Sequence, residues 1–336
     1  MTSGCGAIRR ATEPLRKGST AVTFYLIRRT GTSIIVVLGV SLFIFALLHL
    51  IFPSPAIAVL GPRANSVTIA AWNKSHGFDE PWFVQYLHYM GQLLQGNLGY
   101  SYKQNQSVAA LFSERWARSA YLTGISLVIA IVIAVPLGVY QGVRRHTLGD
   151  NVATTLSFAT YAMPSFFLAL ILIQVFAFTI PIFSYEASQS TSLWGVITDW
   201  NAMTLPIATL VLIQVAAYSR YMRSSAMDAL AQDYIKAARA KGLPERLVLF
   251  RHLLRNACLP LITLIGLSIP ALLAGNLIVE TVFNYPGLGL LFFDSLGTAD
   301  YNVLLAYTLL GAVLTVAGNY LADIALGVAD PRIRLT

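Results

Sequence analysis

Six apolar stretches, each long enough to cross a bilayer as a helix, constrain this chain more than any other feature of its sequence. They cover approximately residues 31–52, 120–142, 153–180, 204–219, 258–281 and 303–327, of which the fourth is the shortest. Crossing roughly 30 Å of hydrocarbon takes about 20 apolar residues in a helix, because a helix satisfies its own backbone polar groups there. Hydrophobic residues make up 56% of the chain and charged residues only 11%. The sequence therefore predicts an all-α integral membrane protein with about six transmembrane helices.

Lysine and arginine cluster between these stretches, and their distribution predicts the orientation of the chain. Basic residues near the ends of a span are retained on the cytoplasmic side. They occur in an N-terminal arm, 1–30, in the turn with Arg144 and Arg145, in segment 220–257 and in the C-terminal tail. Loops 181–203 and 282–302 contain no lysine or arginine. We therefore expect a transmembrane domain over 31–336 with both termini in the cytoplasm, and the net charge of +8 does not indicate a face that binds nucleic acid.

Two long segments lie outside the apolar stretches, and their length indicates where function resides, because spans need connectors of only a few residues. Segment 220–257 is predicted to lie inside. Segment 53–119 is predicted to lie outside, since long loops cross a membrane regardless of their charge. The outer segment is rich in aromatic and polar residues, which suit the docking of a soluble partner. A cap that packs on the ends of its own spans is an equally good interpretation of the same residues.

The inner segment predicts a short helix, a break and a second helix. Residues 233–241 contain good helix formers, Gly242 suits a left-handed position just after the helix, and Pro244 suits the first turn of the next one. An apolar stripe then predicts an amphipathic arm that leads into the fifth span: Leu247, Leu249, Phe250, Leu253 and Leu254. The alanines of the short helix suit a groove in a partner protein, and its basic residues suit anionic lipid headgroups. The residues alone leave both interpretations open.

Short motifs along nearly the whole chain carry a resemblance to one family. They lie at 25–29 with 38–41, 84–87, 96–101, 136–138, 162–166, 234–242, 259–260, 280–289 and 330–335. Together they resemble the inner-membrane permeases of binding-protein-dependent ABC importers, specifically the dipeptide/oligopeptide branch. Residues 234–242 resemble the cytoplasmic EAA loop of that family, in which Ala237, Ala238 and Gly242 match. Lys236 stands where the general pattern has Glu, and residues 53–55 replace a Pro-Gly-Asp-Pro element usual in the branch.

The resemblance implies a type I ABC importer permease fold. In this family two permeases, usually different ones, form a pore in a bacterial-type inner membrane, and an extracytoplasmic substrate-binding protein delivers the cargo. ATP and Mg²⁺ bind to separate ABC ATPase subunits, and no cofactor is expected on this chain. The residues expected to contact the ATPase are Tyr234, Lys236, Ala237, Ala238, Arg239, Lys241, Gly242 and Leu243. The residues expected to dock the binding protein are Trp82, Tyr86, Tyr100 and Tyr285.

Motifs of catalysis are absent from the sequence. It has no Gly-rich loop that ends in Gly-Lys-Ser/Thr, no His-Glu-x-x-His and no Gly-x-Ser-x-Gly. The chain is therefore predicted to be no enzyme, and the resemblance implies that it is the pore subunit of an ATP-driven importer of di- and oligopeptides. One alternative is an ion-coupled secondary transporter, which should show internal repeats and functional charges near the midplane. Another is the same architecture importing haem, nickel chelates or another small solute.

Few ionisable or redox-active residues fall in or near the spans. His49 and Glu280 lie near the predicted outer ends, where we expect both side chains to reach water. Asp323, near the inner end of the last span, is expected to cap that helix or to pair with the basic segment. Cys5 and Cys258 have neither metal-ligand spacing nor the pattern of a disulfide framework.

Overall fold

Long helices dominate the computed structural model, which describes residues 14–52, 55–61, 63–268, 270 and 275–329. The first half contains α1 (Pro14–Ile51), α2 (Ala56–Leu60), α3 (Ser66–His76), α4 (Trp82–Leu94), a hairpin of β1 (Tyr100–Ser101) and β2 (Gln106–Ser107), α5 (Val108–Val143), α6 (Leu148–Ala162), and α7 (Ser165–Ile173), which continues as a π-helix (Gln174–Thr179). The second half contains α8 (Leu193–Thr198), α9 (Trp200–Leu230), α10 (Asp233–Ala240), α11 (Glu245–Leu247), a π-helix (Val248–Leu253), α12 (Leu254–Ala257), α13 (Leu259–Leu267), α14 (Leu277–Val282), α15 (Leu288–Thr298) and α16 (Tyr301–Ala329).

Within these residues, four helical stretches are long and apolar enough to cross a membrane. They are Arg28–Ile51 of α1, the whole of α5 and α9, and Tyr301–Ala322 of α16. Two helix pairs also qualify if each is counted as one bent span, which gives up to six. The predicted all-α membrane architecture is confirmed, and the predicted number of spans is reached when both bent pairs are counted. The orientation of the termini stays a prediction.

Three predicted spans differ from the observed helices. The stretch 153–180 is not one straight helix, because α6 and the following helix meet at 106°. Pro164 causes this break: its ring pushes Met163 to an extended ψ of 133°, and its missing N–H ends the ladder. The stretch 204–219 is the centre of α9, a helix of 31 residues. Within the stretch 258–281, α13 ends at Leu267, and α14 begins at Leu277, two residues after Gly275, whose φ is +88°.

The centre of the molecule is the pair α5 and α9, which pack closely because one face of α5 carries small residues. Every fourth position of that face is small and buried: Ser126, Ala130, Ala134, Gly138 and Gly142. In a membrane, the hydrophobic effect does not drive helices together, so close packing contributes more to their association. Small residues at every fourth position allow the two helix backbones to approach closely. A Cβ on Gly142 would lie 2.9 Å from the Ala226 Cβ of α9, so the approach tolerates only glycine there.

The segment between α1 and α5 folds onto the first turns of α16. Ser101 donates a hydrogen bond to the carboxylate of Asp300, and the Asn302 amide donates to the carbonyl of Tyr100 at 2.8 Å. Aromatic rings extend this contact, with Trp72 stacked on Phe78 and Phe78 edge-on to Tyr301. The described part of this segment therefore packs on the ends of the spans. That is one of the two interpretations that the residues left open, and it does not exclude docking.

Candidate functional site

The short helix of the predicted coupling segment is present as α10, and its ends have the expected chemistry. Gly242 has a φ of +75°, the left-handed value at which glycine carries no steric cost. The Gly242 N–H donates to the Arg239 carbonyl at 2.9 Å and the Leu243 N–H to the Ala238 carbonyl at 3.4 Å. These two bonds form a Schellman motif, which satisfies carbonyls that the end of a helix leaves free. The predicted elbow is confirmed, except that Pro244 caps the next helix rather than lying in its first turn.

One face of α10 is bound to its own chain and the other is exposed. Ile235 is fully buried and Ala238 is 5% exposed, and both pack in a cluster with Met222 and Ala226 of α9 and Val248 of the arm. The exposed positions of α10 are Asp233, Tyr234, Lys236, Ala237, Arg239 and Ala240, and Lys241 and Gly242 just after it are also exposed, whereas Leu243 is half-buried. Ala238 was expected to contact a partner, and its burial contradicts that expectation. At a helical period of 3.6 residues it falls on the same face as Ile235.

An ion pair braces the elbow after α10. The Arg239 guanidinium binds both carboxylate oxygens of Glu245, at 2.6 Å from Nη2 and 3.2 Å from Nε. Both side chains are about half exposed, so the pair adds orientation rather than much stability. On the exposed surface, Lys236 Nζ lies 2.9 Å from a carboxylate oxygen of Asp233.

The arm after the elbow is less regular than its sequence suggested. Leu253 is fully buried, whereas Phe250 is 73% exposed and Leu247 is 37% exposed. The predicted single apolar stripe is therefore wrong. Residues 248–253 are π-helical, which changes the angular spacing of the side chains, and Val248 takes the buried position instead. An open groove of about 290 Å³ lies between the end of α9 with the start of α10 on one side and α12 with α13 on the other, and is lined by Ser225, Asp228, Ala229, Gln232, Tyr234, Asn256 and Pro260.

The four residues predicted to dock a binding protein are not equivalent. Trp82 is 44% exposed and Tyr100 is 39% exposed, so both are accessible. Tyr86 is half-buried against α1, where its hydroxyl lies 2.8 Å from Ser41 Oγ. Tyr285 is fully buried and donates to the Arg118 carbonyl at 2.9 Å, so a docking role for its side chain is contradicted. For the other three, docking stays a prediction.

Glu280 lies at the centre of a second polar site, at the end of the bundle opposite α10. Its side chain is fully buried, so the expectation that it reaches water is wrong. One carboxylate oxygen accepts from Ser119 Oγ at 2.7 Å and from the Asn276 N–H at 3.1 Å. The other accepts from the N–H groups of Gly289 and Leu290, at 2.7 and 3.3 Å. A carboxylate at the N-terminus of α15 satisfies free backbone donors there, so Glu280 organises the loop before that helix.

An ion pair near α10 could not be predicted from the sequence. Asp150, on the first turn of α6, is bound by both Nε and Nη2 of Arg223 of α9 at 2.9 Å. Neither residue belongs to a motif, and their separation of 73 positions gives no local pattern. The one available signal was a carboxylate next to the basic turn 144–145, which alone does not name its partner. Asp323 was expected to cap or pair, and its side chain lies outside the described residues.

Comparison with known sequences identifies what kind of chain presents these two sites. Residues 134–335, more than half of the chain, match the family described as "Binding-protein-dependent transport system inner membrane component". The chain belongs to this family of transport-system membrane components. Residues 22–123 match a second description, "Binding-prot-dependent transport system membrane comp, N-term". The matches cover the segment with α10 and the Glu280 loop.

Relatives of this membrane component align over most of their length. The oligopeptide transport system permease protein AppB of Bacillus subtilis is 36% identical over 311 residues, which are 92% of this chain and 98% of that protein. The dipeptide transport system permease protein DppB of Escherichia coli is 34% identical, with 92% and 98% covered. The glutathione transport system permease protein GsiC of Salmonella typhimurium is 33% identical, again with 92% and 98% covered.

The fold of this membrane component also resembles a solved structure. The inward-facing MetNI methionine ABC transporter aligns with a TM-score of 0.50 at 15% identity, over 66% of this chain and 97% of that one. At this identity the similarity concerns the fold alone. It agrees with the permease fold that the sequence motifs implied.

Proposed function

We propose that this chain is one of two pore-forming permeases of an ATP-driven, binding-protein-dependent importer of di- and oligopeptides in a bacterial-type inner membrane. In this proposal ATP and Mg²⁺ bind to separate ABC ATPase subunits, and an extracytoplasmic binding protein delivers the cargo. The observation that carries the proposal is the two-sided α10. One face is packed on the chain's own spans, and the other is exposed beside a groove of about 290 Å³.

The arrangement suits the transfer of force. A helix that docks in a partner's groove recognises it through an exposed face with small residues at its centre, which Ala237 and Ala240 supply. Because Ile235 and Ala238 bind the opposite face to α9 and the arm, a push on α10 moves those elements with it. ATP-driven approach of two ATPase domains would then reorient the spans around the cargo pathway, and this chain performs no covalent chemistry.

Peptides are proposed as cargo because relatives that align over nearly their full length are permeases of oligopeptide, dipeptide and glutathione transport systems. The assembled importer, reconstituted in vesicles with its binding protein, should accumulate a labelled dipeptide or tripeptide in an ATP-dependent manner. If the vesicles take up haem or a nickel chelate and neither peptide, the proposed importer stands, but the proposed peptide cargo is wrong. Uptake by this chain without any ATPase subunit, driven by an ion gradient, would overturn the proposal.

Two alanine substitutions on opposite faces of α10 separate docking from folding. Ala237→Trp places a bulky ring on the exposed face, so we expect a stable, inserted chain that no longer co-purifies with the ATPase subunits. Ala238→Trp forces the same ring into the cluster with Met222 and Val248, so we expect the chain itself to lose stability, by about 1–3 kcal/mol or more. Co-purification and thermal unfolding in mild detergent measure the two effects. Equal behaviour of the two variants would contradict the assigned faces.

Substitution of Gly242 tests the elbow. A Cβ at Gly242 meets no atom within 4 Å, so Gly242→Val is opposed only by the left-handed backbone, at about 1–2 kcal/mol. We expect normal membrane insertion and loss of ATP-dependent transport, whereas Gly242→Asn should retain most transport because asparagine tolerates this conformation. Gly77→Val is the matched control, because Gly77 ends α3 with a φ of +74° and equally open surroundings. The Gly77→Val variant should still bind the ATPase. Full transport by the Gly242→Val variant would contradict the role of the elbow.

A further inference from the structure

An ion pair joins the inner part of the molecule, around α10, to α6. Asp150 is 1% exposed, and its two carboxylate oxygens lie at 2.9 Å from Nε and Nη2 of Arg223. A guanidinium that binds both oxygens of a carboxylate fixes direction as well as distance. Arg223 lies less than two turns before the end of α9, from which residues 231 and 232 lead directly into α10.

Asp150 also holds the turn between α5 and α6. The His146 N–H donates to its second oxygen at 2.9 Å, although His146 has a φ of +64°, which is uncommon for a residue other than glycine. Thr154 Oγ1 donates to its first oxygen at 3.0 Å. The carboxylate is therefore satisfied on both oxygens, and it keeps a strained turn in place.

Two weaker contacts continue along the same face of α9. Ser219 Oγ lies 3.4 Å from Ser157 Oγ of α6, and the Arg220 guanidinium lies 4.5 Å from the ring centres of both Phe158 and Tyr161. Beyond Tyr161 the chain bends by 106° into α7. The straight part of α6 is thus attached to the inner half of α9, and the bend marks where that attachment ends.

We propose that Asp150 and Arg223 are positioning residues for transport, which carry movement of α10 through α9 to α6 and to the turn that ends α5. This inference rests on the proposed function, because it needs α10 to receive force from an ATPase. The cluster of Ile235, Ala238, Met222 and Ala226 makes α10 and the inner end of α9 one body. The ion pair extends that body to α6, which has no residue in the cluster. Without the pair, the weaker contacts of Ser219 and Arg220 with α6 remain, so α6 should follow the movement of α9 less closely.

The test uses the whole importer in lipid nanodiscs or vesicles, with Asp150→Asn, Arg223→Gln and the double variant. For each we expect ATP hydrolysis and subunit assembly within about twofold of the parent, and the amount of labelled dipeptide transported per ATP reduced on the order of tenfold. The double variant should be no worse than either single variant, because both remove one interaction. Asn151→Ala, at an exposed position on the same turn of α6, is the matched control and should behave as the parent.

A distance measurement separates positioning from folding without any knowledge of the cargo. Spin labels replace Ser224, on the inner end of α9 that moves with α10, and Asn151 on α6, both exposed, with Cys5 and Cys258 changed to serine. We expect the distance between the labels to stay constant when the parent importer is trapped with ATP and vanadate, and to change in the double variant. A changed distance in the parent, or transport per ATP unaffected by all variants, overturns the inference.

Loss of assembly in proportion to transport would also overturn it, because the pair would then serve only the fold. A parent chain that never binds an ATPase subunit would instead contradict the proposed function. The two failures are therefore distinguishable.

Discussion

Gly138→Leu should prevent this chain from folding into a monodisperse protein. A Cβ built on Gly138 lies 2.5 Å from the Met222 Cβ, 2.7 Å from the Ser219 carbonyl oxygen and 2.9 Å from the Met222 Cγ. The carbonyl cannot move without shifting α9, which is the central partner of α5. Even Gly138→Ala should cost about 1–3 kcal/mol, the usual range for overpacking a well-packed site. A leucine adds three more carbons at the same place, so the two helices must separate.

Purification in mild detergent, size-exclusion profiles and thermal unfolding measure this effect. Gly311→Leu and Gly311→Ala are the matched controls, because Gly311 lies inside α16 and a Cβ there meets no atom within 4 Å. Alanine at that site should be neutral or stabilising by up to about 1 kcal/mol through helix propensity. If the two leucine variants unfold at the same temperature, the close approach of α5 and α9 at Gly138 does not exist in the protein.

Glu280→Gln should produce the second large effect, at the opposite end of the bundle. All four groups around the carboxylate are donors, namely the Ser119 hydroxyl and the N–H groups of Asn276, Gly289 and Leu290. A glutamine offers one acceptor oxygen and turns an NH₂ group toward the remaining donors. Two donors then lose a bond to a charged acceptor, each worth about 1.5–3 kcal/mol, so a loss of about 3–6 kcal/mol is expected.

The change should appear as a lower unfolding temperature and as faster proteolysis between α14 and α15, since Glu280 holds that connection. Glu186→Gln is the control, because Glu186 accepts a single hydrogen bond from the Asn284 amide at a more exposed position, at 2.6 Å. Its substitution should cost no more than about 1 kcal/mol. An unchanged stability of Glu280→Gln would mean that the carboxylate is not the acceptor at the centre of this site.

Much of the coupling segment could be predicted from the sequence, because its signals are local. Helix formers at 233–241, a glycine after them and a proline two residues later specify a helix and its elbow through backbone preferences alone. The same reasoning failed for Ala238 and for the arm. Which face of a short helix is buried depends on α9 and the arm, which approach it from other parts of the chain.

Glu280 shows the opposite case. Its position near the end of an apolar stretch indicated water, yet Ser119 of α5 and backbone N–H groups of α15 enclose the carboxylate. A hydropathy pattern does not show which distant segments meet. The ion pair of Asp150 with Arg223 likewise joins residues 73 positions apart, and nothing in either local sequence names the other.

The sequence by itself determined that the chain is a bundle of membrane-spanning helices with a helix, an elbow and an arm between the fourth and fifth apolar stretches. These features follow from the length of apolar runs and from the backbone preferences of glycine and proline, which act within a few residues. Only the tertiary structure decided which side of α10 is free, where α6 bends, and which buried carboxylates meet donors. Those outcomes depend on contacts between distant segments, whose free energies come from packing and desolvation that no single stretch of sequence contains.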